Sequence, residues 1–229
     1  HQHTVPDLSA LLRCRRLRSS KMSSCQQEGP SVQGRAATWR WQDSSLALLY
    51  GFVFFSQFKP SEPFLVHYLT VDKGIARHVV NTMIFPLYVY ARLPCEALSG
   101  LCSELLGGRV VLVVGAACGF ATVVLTCCSE SLWPQQLAQF TVAVSFASRL
   151  AVPQAVFMFV PPAKAQQHIH LVKAVLLLSN SGSAILGQVL RDCAQANLLW
   201  LYVFSAVCQG ASLICAALLL WIEVPVVLS

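Results

Sequence analysis

The feature that most limits this chain is a succession of apolar runs long enough to cross a lipid bilayer. A helix needs about 20 apolar residues to span the hydrocarbon core. The run 110-VVLVVGAACGFATVVLTCC-128 meets that need without a charge or a proline. Further windows of similar size run from Leu46 to Leu69, Val79 to Leu101, Leu137 to Val160, Ile169 to Leu190 and Leu198 to Ile222. Lipid offers no partner to backbone N–H and C=O groups, so such runs must fold as helices that satisfy themselves. The pattern predicts an all-α, polytopic membrane protein with six transmembrane helices. Composition agrees: only 11% of residues are charged, against about 25% in soluble domains.

Charge divides the chain. Residues 1–45 hold seven of the sixteen Lys/Arg, with Arg13, Arg15, Arg16 and Arg18 clustered. A basic tail can bind nucleic acid, but apolar spans follow this one, and positive charge beside spans marks the cytoplasmic side. The tail lacks periodicity and carries Ser, Gln and Gly, which predicts a disordered cytoplasmic segment. Its short apolar stretch at 8–12 falls below the length of a signal-peptide core. With the tail inside, Arg109 and Lys164 share its side, and Lys73, Arg77 and Arg191 fall outside. The expected organisation is therefore a tail over 1–45, a six-helix bundle over 46–223 and a cytoplasmic end over 224–229, with both termini cytoplasmic.

The ten cysteines form no C-x-x-C, and most lie within apolar runs, where cysteine behaves as a small hydrophobe. The six histidines show no ligand spacing with them. No nucleophile–base pair, metal cluster or nucleotide loop stands out, so neither catalysis nor a cofactor is expected. The segment from Gly182 to Gln188 lacks the Lys and Ser/Thr of a phosphate-binding loop. Ser183 to Gly187 reads instead as a small packing face, and Gly115-x-x-x-Gly119 as a site of close helix approach.

Charges inside the runs carry more information. Glu62, Arg92, Glu96, Arg149 and Lys173 fall within expected spans, and Lys59 borders on them. Each costs about 2.5–3.5 kcal/mol at a helix centre, so each should pair, face the bundle interior or line water. Arg92 and Glu96 are four residues apart and can neutralise each other on one helix face. Arg149 and Lys173 have no such partner in their own runs; an inter-helix salt bridge, for instance to Glu62, or a polar cavity for a charged solute would satisfy them. The stretch 59-KPSEP-63 interrupts the first run. Residues 46–58 alone are too short to span, and 64-FLVHYL-69 restores the length. The break at Pro60 and Pro63 therefore belongs inside the membrane, beside protein or water. Broken helices at membrane depth form solute sites in secondary transporters.

These residues resemble a known family. The stretch from Lys59-Pro-Ser-Glu-Pro-Phe to Tyr68-Leu69 and Asp72-Lys73 is similar to the first-helix signature of the reduced folate carrier and thiamine transporter family, solute carrier family 19. Gly100, Glu104, Gly107 and Arg109 form a degenerate version of the Gly-x-x-x-Asp-Arg-x-Gly-Arg-Arg loop of the major facilitator superfamily. Arg149, Lys173 and Leu186-Gly187-Gln188 resemble the family's fourth and fifth helices. The resemblance implies one six-helix half of a major facilitator fold, in the plasma membrane, with Glu62, Arg149 and Lys173 lining the solute cavity. An arginine in the fourth helix is usual in the folate branch and suits an anion. Ser61-Glu62-Pro63 looks more like the thiamine branch. Val152-Pro153-Gln154, Asn81-Thr82-Met83, Arg92 and Glu96 depart from the family pattern. The family has about twelve helices, so the expectation is a fragment, a short isoform or a piece that assembles with another copy. The expected activity is transport of folate or a folate-like anion, with thiamine transport, or a non-transporting membrane protein that assembles with a full-length relative, as alternatives.

Overall fold

The computed structural model describes residues 32–129, 131–192 and 197–222, with side chains from Ser44 onward. The chain divides into two units, His1–Trp41 and Gln42–Ser229, and the second holds the helices that form the site. Of the disordered tail expected over residues 1–45, residues 1–31 lie outside the described residues, as does the cytoplasmic end at 224–229, and the remainder from Val32 is helical.

Every regular element among the described residues is helical. α1 (Val32–Gln57) begins well ahead of residue 46, where the apolar run starts. It stops before Pro60, whose ring would clash with the Ser56 carbonyl and whose nitrogen cannot donate to it. The chain resumes in a 3₁₀ turn at Glu62–Phe64, where Pro63 sits early enough that its missing N–H is not needed. One α-turn (Leu65–His67) and a π-helical turn (Tyr68–Asp72) follow, and Gly74 takes a φ of +66° to leave the helix.

Arg77–Val79 and a π-helical turn at Val80–Ile84 then lead into α2 (Phe85–Leu106). The wide turn falls just before Pro86, which cannot close the ordinary bond to the Thr82 carbonyl. Gly107, at φ +89°, turns the chain into α3 (Gly108–Cys128). α4 (Leu132–Ala147), a 3₁₀ turn at Ser148–Leu150 and α5 (Ala151–Phe159) form one kinked rod, which Pro161-Pro162 separates from α6 (Pro162–Asp192). α7 (Leu198–Trp221) completes the described chain.

Among the described residues four helices are long and apolar enough to cross a bilayer: α3, the α4–α5 rod, α6 and α7. The first two of the six expected runs fall outside that set for local reasons. α1 breaks at Gln57, and α2 carries Arg92 and Glu96.

α3 packs against α2, α4, α5 and α7. Its two spaced glycines make this possible, as the sequence expects. A Cβ on Gly115 would strike the Ser148 side chain, and one on Gly119 would lie 2.7 Å from Gln209 Oε1. At the turn between α2 and α3, Arg109 Nη1 donates to the Ile222 carbonyl at 2.6 Å and reaches the Leu219 carbonyl at 3.4 Å. It thereby caps the C-terminal end of α7, where a cation also meets the negative end of the helix dipole. Of the loop residues named from sequence, Gly107 and Arg109 thus have geometric roles. Glu104 is exposed, and a Cβ on Gly100 would meet nothing within 4 Å.

Candidate functional site

The break after α1 leaves backbone carbonyls without helical partners, and other helices meet them. Gln209 of α7 donates its Nε2 to the Phe55 and Ser56 carbonyls at 3.2 and 3.1 Å. It supplies the Ser56 carbonyl with the donor that Pro60 lacks. Ser179 of α6 donates to the Phe54 carbonyl at 2.6 Å. Ser61 N donates to Ser205 Oγ at 3.3 Å, and the two hydroxyls lie 2.9 Å apart. Gly187 lets α6 lie against the turn: a Cβ there would come 2.5 Å from the Pro60 carbonyl oxygen. Ser183, one turn away, is buried. The small face expected at 183–187 is therefore a seat for the broken segment.

The break is thus held by protein on several sides, and its charged residues are placed with precision. Lys59 is 6% exposed and its Nζ stands 5.5 Å from the centre of the Phe146 ring. Arg149 lies over the same ring with its Cζ at 4.0 Å, and Arg92 reaches it at 5.7 Å. Three cations therefore surround one aromatic ring. Arg92 is already neutralised by Glu96, with Nε to Oε1 at 2.7 Å, as the i,i+4 spacing predicts. No carboxylate among the described residues lies within 4 Å of a Lys59, Arg149 or Lys173 nitrogen. Arg149 Nη2 is buried without a hydrogen-bond partner. The inter-helix salt bridge to Glu62 that the sequence allows is not formed, although Glu62 is near enough to act on both Lys59 and Arg149 through its field.

Arg149 owes its position to a kink. It sits in the 3₁₀ turn between α4 and α5, and Pro153, four residues on, cannot donate to its carbonyl. The turn points the guanidinium back onto Phe146, one turn earlier.

Two cavities are lined by residues of this cluster. One, of about 230 Å³, is lined by Lys59, Glu62, Tyr88, Gln139, Phe146 and Tyr202 among others. The other, of about 150 Å³, is lined by Arg149, Lys173 and mostly apolar residues of α1, α5 and α6. Glu62, Lys59 and Phe146 thus line one cavity and Arg149 and Lys173 the other, with the Arg149 guanidinium over the Phe146 ring. Pro60 is fully buried, whereas Glu62, Pro63 and Lys173 are exposed.

Phe146, Tyr88, Gln139 and Tyr202 are residues that sequence reasoning does not single out, and it places Lys59 only at the edge of a run. Tyr202 packs on Tyr68 with ring centres 4.2 Å apart, and its buried hydroxyl has no partner. Only Pro153 carries a local signal, since its i−4 relation to Arg149 is written in the chain. The seven described cysteines are free thiols, and no cluster of metal-ligating side chains occurs among the described residues.

An all-helical membrane protein with a broken first helix and charged residues gathered at the break is the class that fold and site define. The family model for the reduced folate carrier matches residues 39–225. The chain belongs to that family. It is 25% identical over 198 residues to the reduced folate transporter of Rattus norvegicus, covering 86% of this chain and 37% of the relative. It is 24% identical over 180 residues to folate-like transporter 3 of Caenorhabditis elegans, covering 79% and 42%. Thiamine transporter 2 of Homo sapiens is 24% identical over 171 residues, covering 74% and 34%. The chain spans less than half the length of these relatives.

Proposed function

We propose that this chain is the N-terminal, six-span half of a major facilitator transporter that carries folate or a folate-like organic anion across the plasma membrane. In this reading the broken first run and α2 also cross the bilayer, both termini are cytoplasmic, and Glu62, Arg149 and Lys173 contact the solute. The observation that carries the anion is Arg149. Its guanidinium keeps one buried nitrogen unpartnered and meets a ring instead of a carboxylate. A buried cation is expensive unless something compensates its charge, and an anionic solute supplies that compensation.

A second reading is thiamine transport. Glu62 favours it, because it is exposed in the larger cavity beside Tyr88 and Tyr202, and a carboxylate with aromatic walls suits a cation. A third is a non-transporting membrane protein that assembles with a full-length relative, marked by co-purification with that relative and no vitamin uptake. Uptake of labelled folate by the full-length protein, with and without Arg149→Glu, tests the first reading. Loss of folate uptake at equal surface abundance is expected. Unchanged uptake removes the anion site. Competition between unlabelled thiamine and folate separates the first two readings.

A further inference from the structure

Lys59 is the most buried charged side chain in the region, and the sequence places it only at the edge of the first run. The Phe146 face attracts its ammonium, but at 5.5 Å the ring stands near the outer limit of such a contact. Burying an ammonium is costly unless an opposite charge or hydrogen bonds compensate it. Arg149 repels Lys59, and Glu62 attracts it without coming within 4 Å. With Arg92 neutralised by Glu96, Lys59 and Arg149 face the single carboxylate of Glu62, which leaves one positive charge over.

The position is also rigid. The Lys59 carbonyl accepts from Glu62 N at 3.1 Å, Pro60 is clamped against Gly187, and Ser61 is tied to Ser205. Lys59 reaches the cavity from a fixed turn, which is how a binding group is kept in register with its ligand.

We propose that Lys59 is a specificity-determining residue of the cavity: with Arg149, across the Phe146 ring, it forms a two-cation seat for a carboxylate or phosphate group of the solute. This rests on the transport function proposed above. It predicts that Lys59 senses the charge of the solute and not its ring.

The test uses the full-length protein in cells, with uptake of labelled folate normalised to surface abundance. Competitors are unlabelled folate, folate with both carboxylates converted to amides, and thiamine monophosphate. Wild type should prefer folate over the diamide by at least about tenfold, the effect of one ion contact of ~1.4 kcal/mol. Lys59→Gln should bring that preference close to one by weakening folate, with the diamide unchanged, and Lys59→Arg should restore most of it. Strong competition by thiamine monophosphate identifies phosphate as an accepted group; weak competition limits the seat to carboxylates. A folate preference unchanged in Lys59→Gln overturns the proposal. Should that variant fail to reach the surface, labelling of wild-type Lys59 by a small amine-reactive reagent gives a second measure. Folate should reduce labelling at least about threefold, the diamide should not, and equal labelling in both cases overturns the proposal. Failure of wild type to take up folate at all is a separate outcome, which removes the transport reading itself and this seat with it.

Discussion

Two sets of charges stand near the Phe146 ring, and they are treated in opposite ways. Arg92 and Glu96 hold each other at 2.7 Å on an open face of α2, both side chains more than a third exposed. Lys59 and Arg149 are pressed into the protein around Phe146 with no carboxylate of the described residues within 4 Å. A chain that needed only stability could have paired the second set as it paired the first. Retaining unpaired cations against a ring face, next to a cavity, is costly for folding and useful for binding a charged partner.

The strongest way to break this comparison is to remove the scaffold under the buried set. Gly115→Leu drives a side chain into Ser148, the first residue of the turn that carries Arg149. Loss of most folded protein is expected, read by fluorescence-detected size exclusion. Next in size is Arg149→Glu, which reverses the charge at Phe146. Folate uptake should fall about a hundredfold, in line with the ~2–5 kcal/mol typical of a disrupted buried charge contact.

Gln209→Leu acts one step further back. It strips the donor from the Phe55 and Ser56 carbonyls at the break. Each buried carbonyl left without a partner costs about 1–3 kcal/mol, so the purified protein should melt several degrees lower. Arg109→Ala removes the cap on α7 and should cost about 1 kcal/mol, with uptake per folded molecule unchanged. The smallest effect belongs to the paired set. Replacing Arg92 and Glu96 together by leucine should leave uptake within about twofold of wild type, because an exposed pair contributes roughly 0–1 kcal/mol. A large loss in that double variant would erase the distinction between the two sets.

Much of this arrangement is legible in the chain, and the division follows sequence distance. The break at 59–63 follows from span length and two prolines. The Arg92–Glu96 pair follows from helical spacing, the α3 packing from Gly115 and Gly119, and the end of α5 from Pro161-Pro162. Each of these is local, set by geometry within a few turns.

What sequence could not supply depends on how distant helices rotate against each other. Lys59 and Phe146 are separated by α2 and α3, so no pattern in either run predicts that they meet. For the same reason Glu62, Arg149 and Lys173, grouped by the family likeness, line two separate cavities. The start of α1 at Val32 is hidden by polar residues that hydropathy assigns to a tail. The kink at Arg149 is the intermediate case: Pro153 announces it, but only when read against the carbonyl four residues back.

If the buried cations around Phe146 select an anion, equilibrium binding of labelled folate and labelled thiamine to the purified full-length protein shows it most directly. Folate should bind at least about tenfold more tightly than thiamine, a difference of ~1.4 kcal/mol, and Arg149→Glu should reverse that order. Tighter binding of thiamine by the wild-type protein, or an order that Arg149→Glu leaves unchanged, would contradict it.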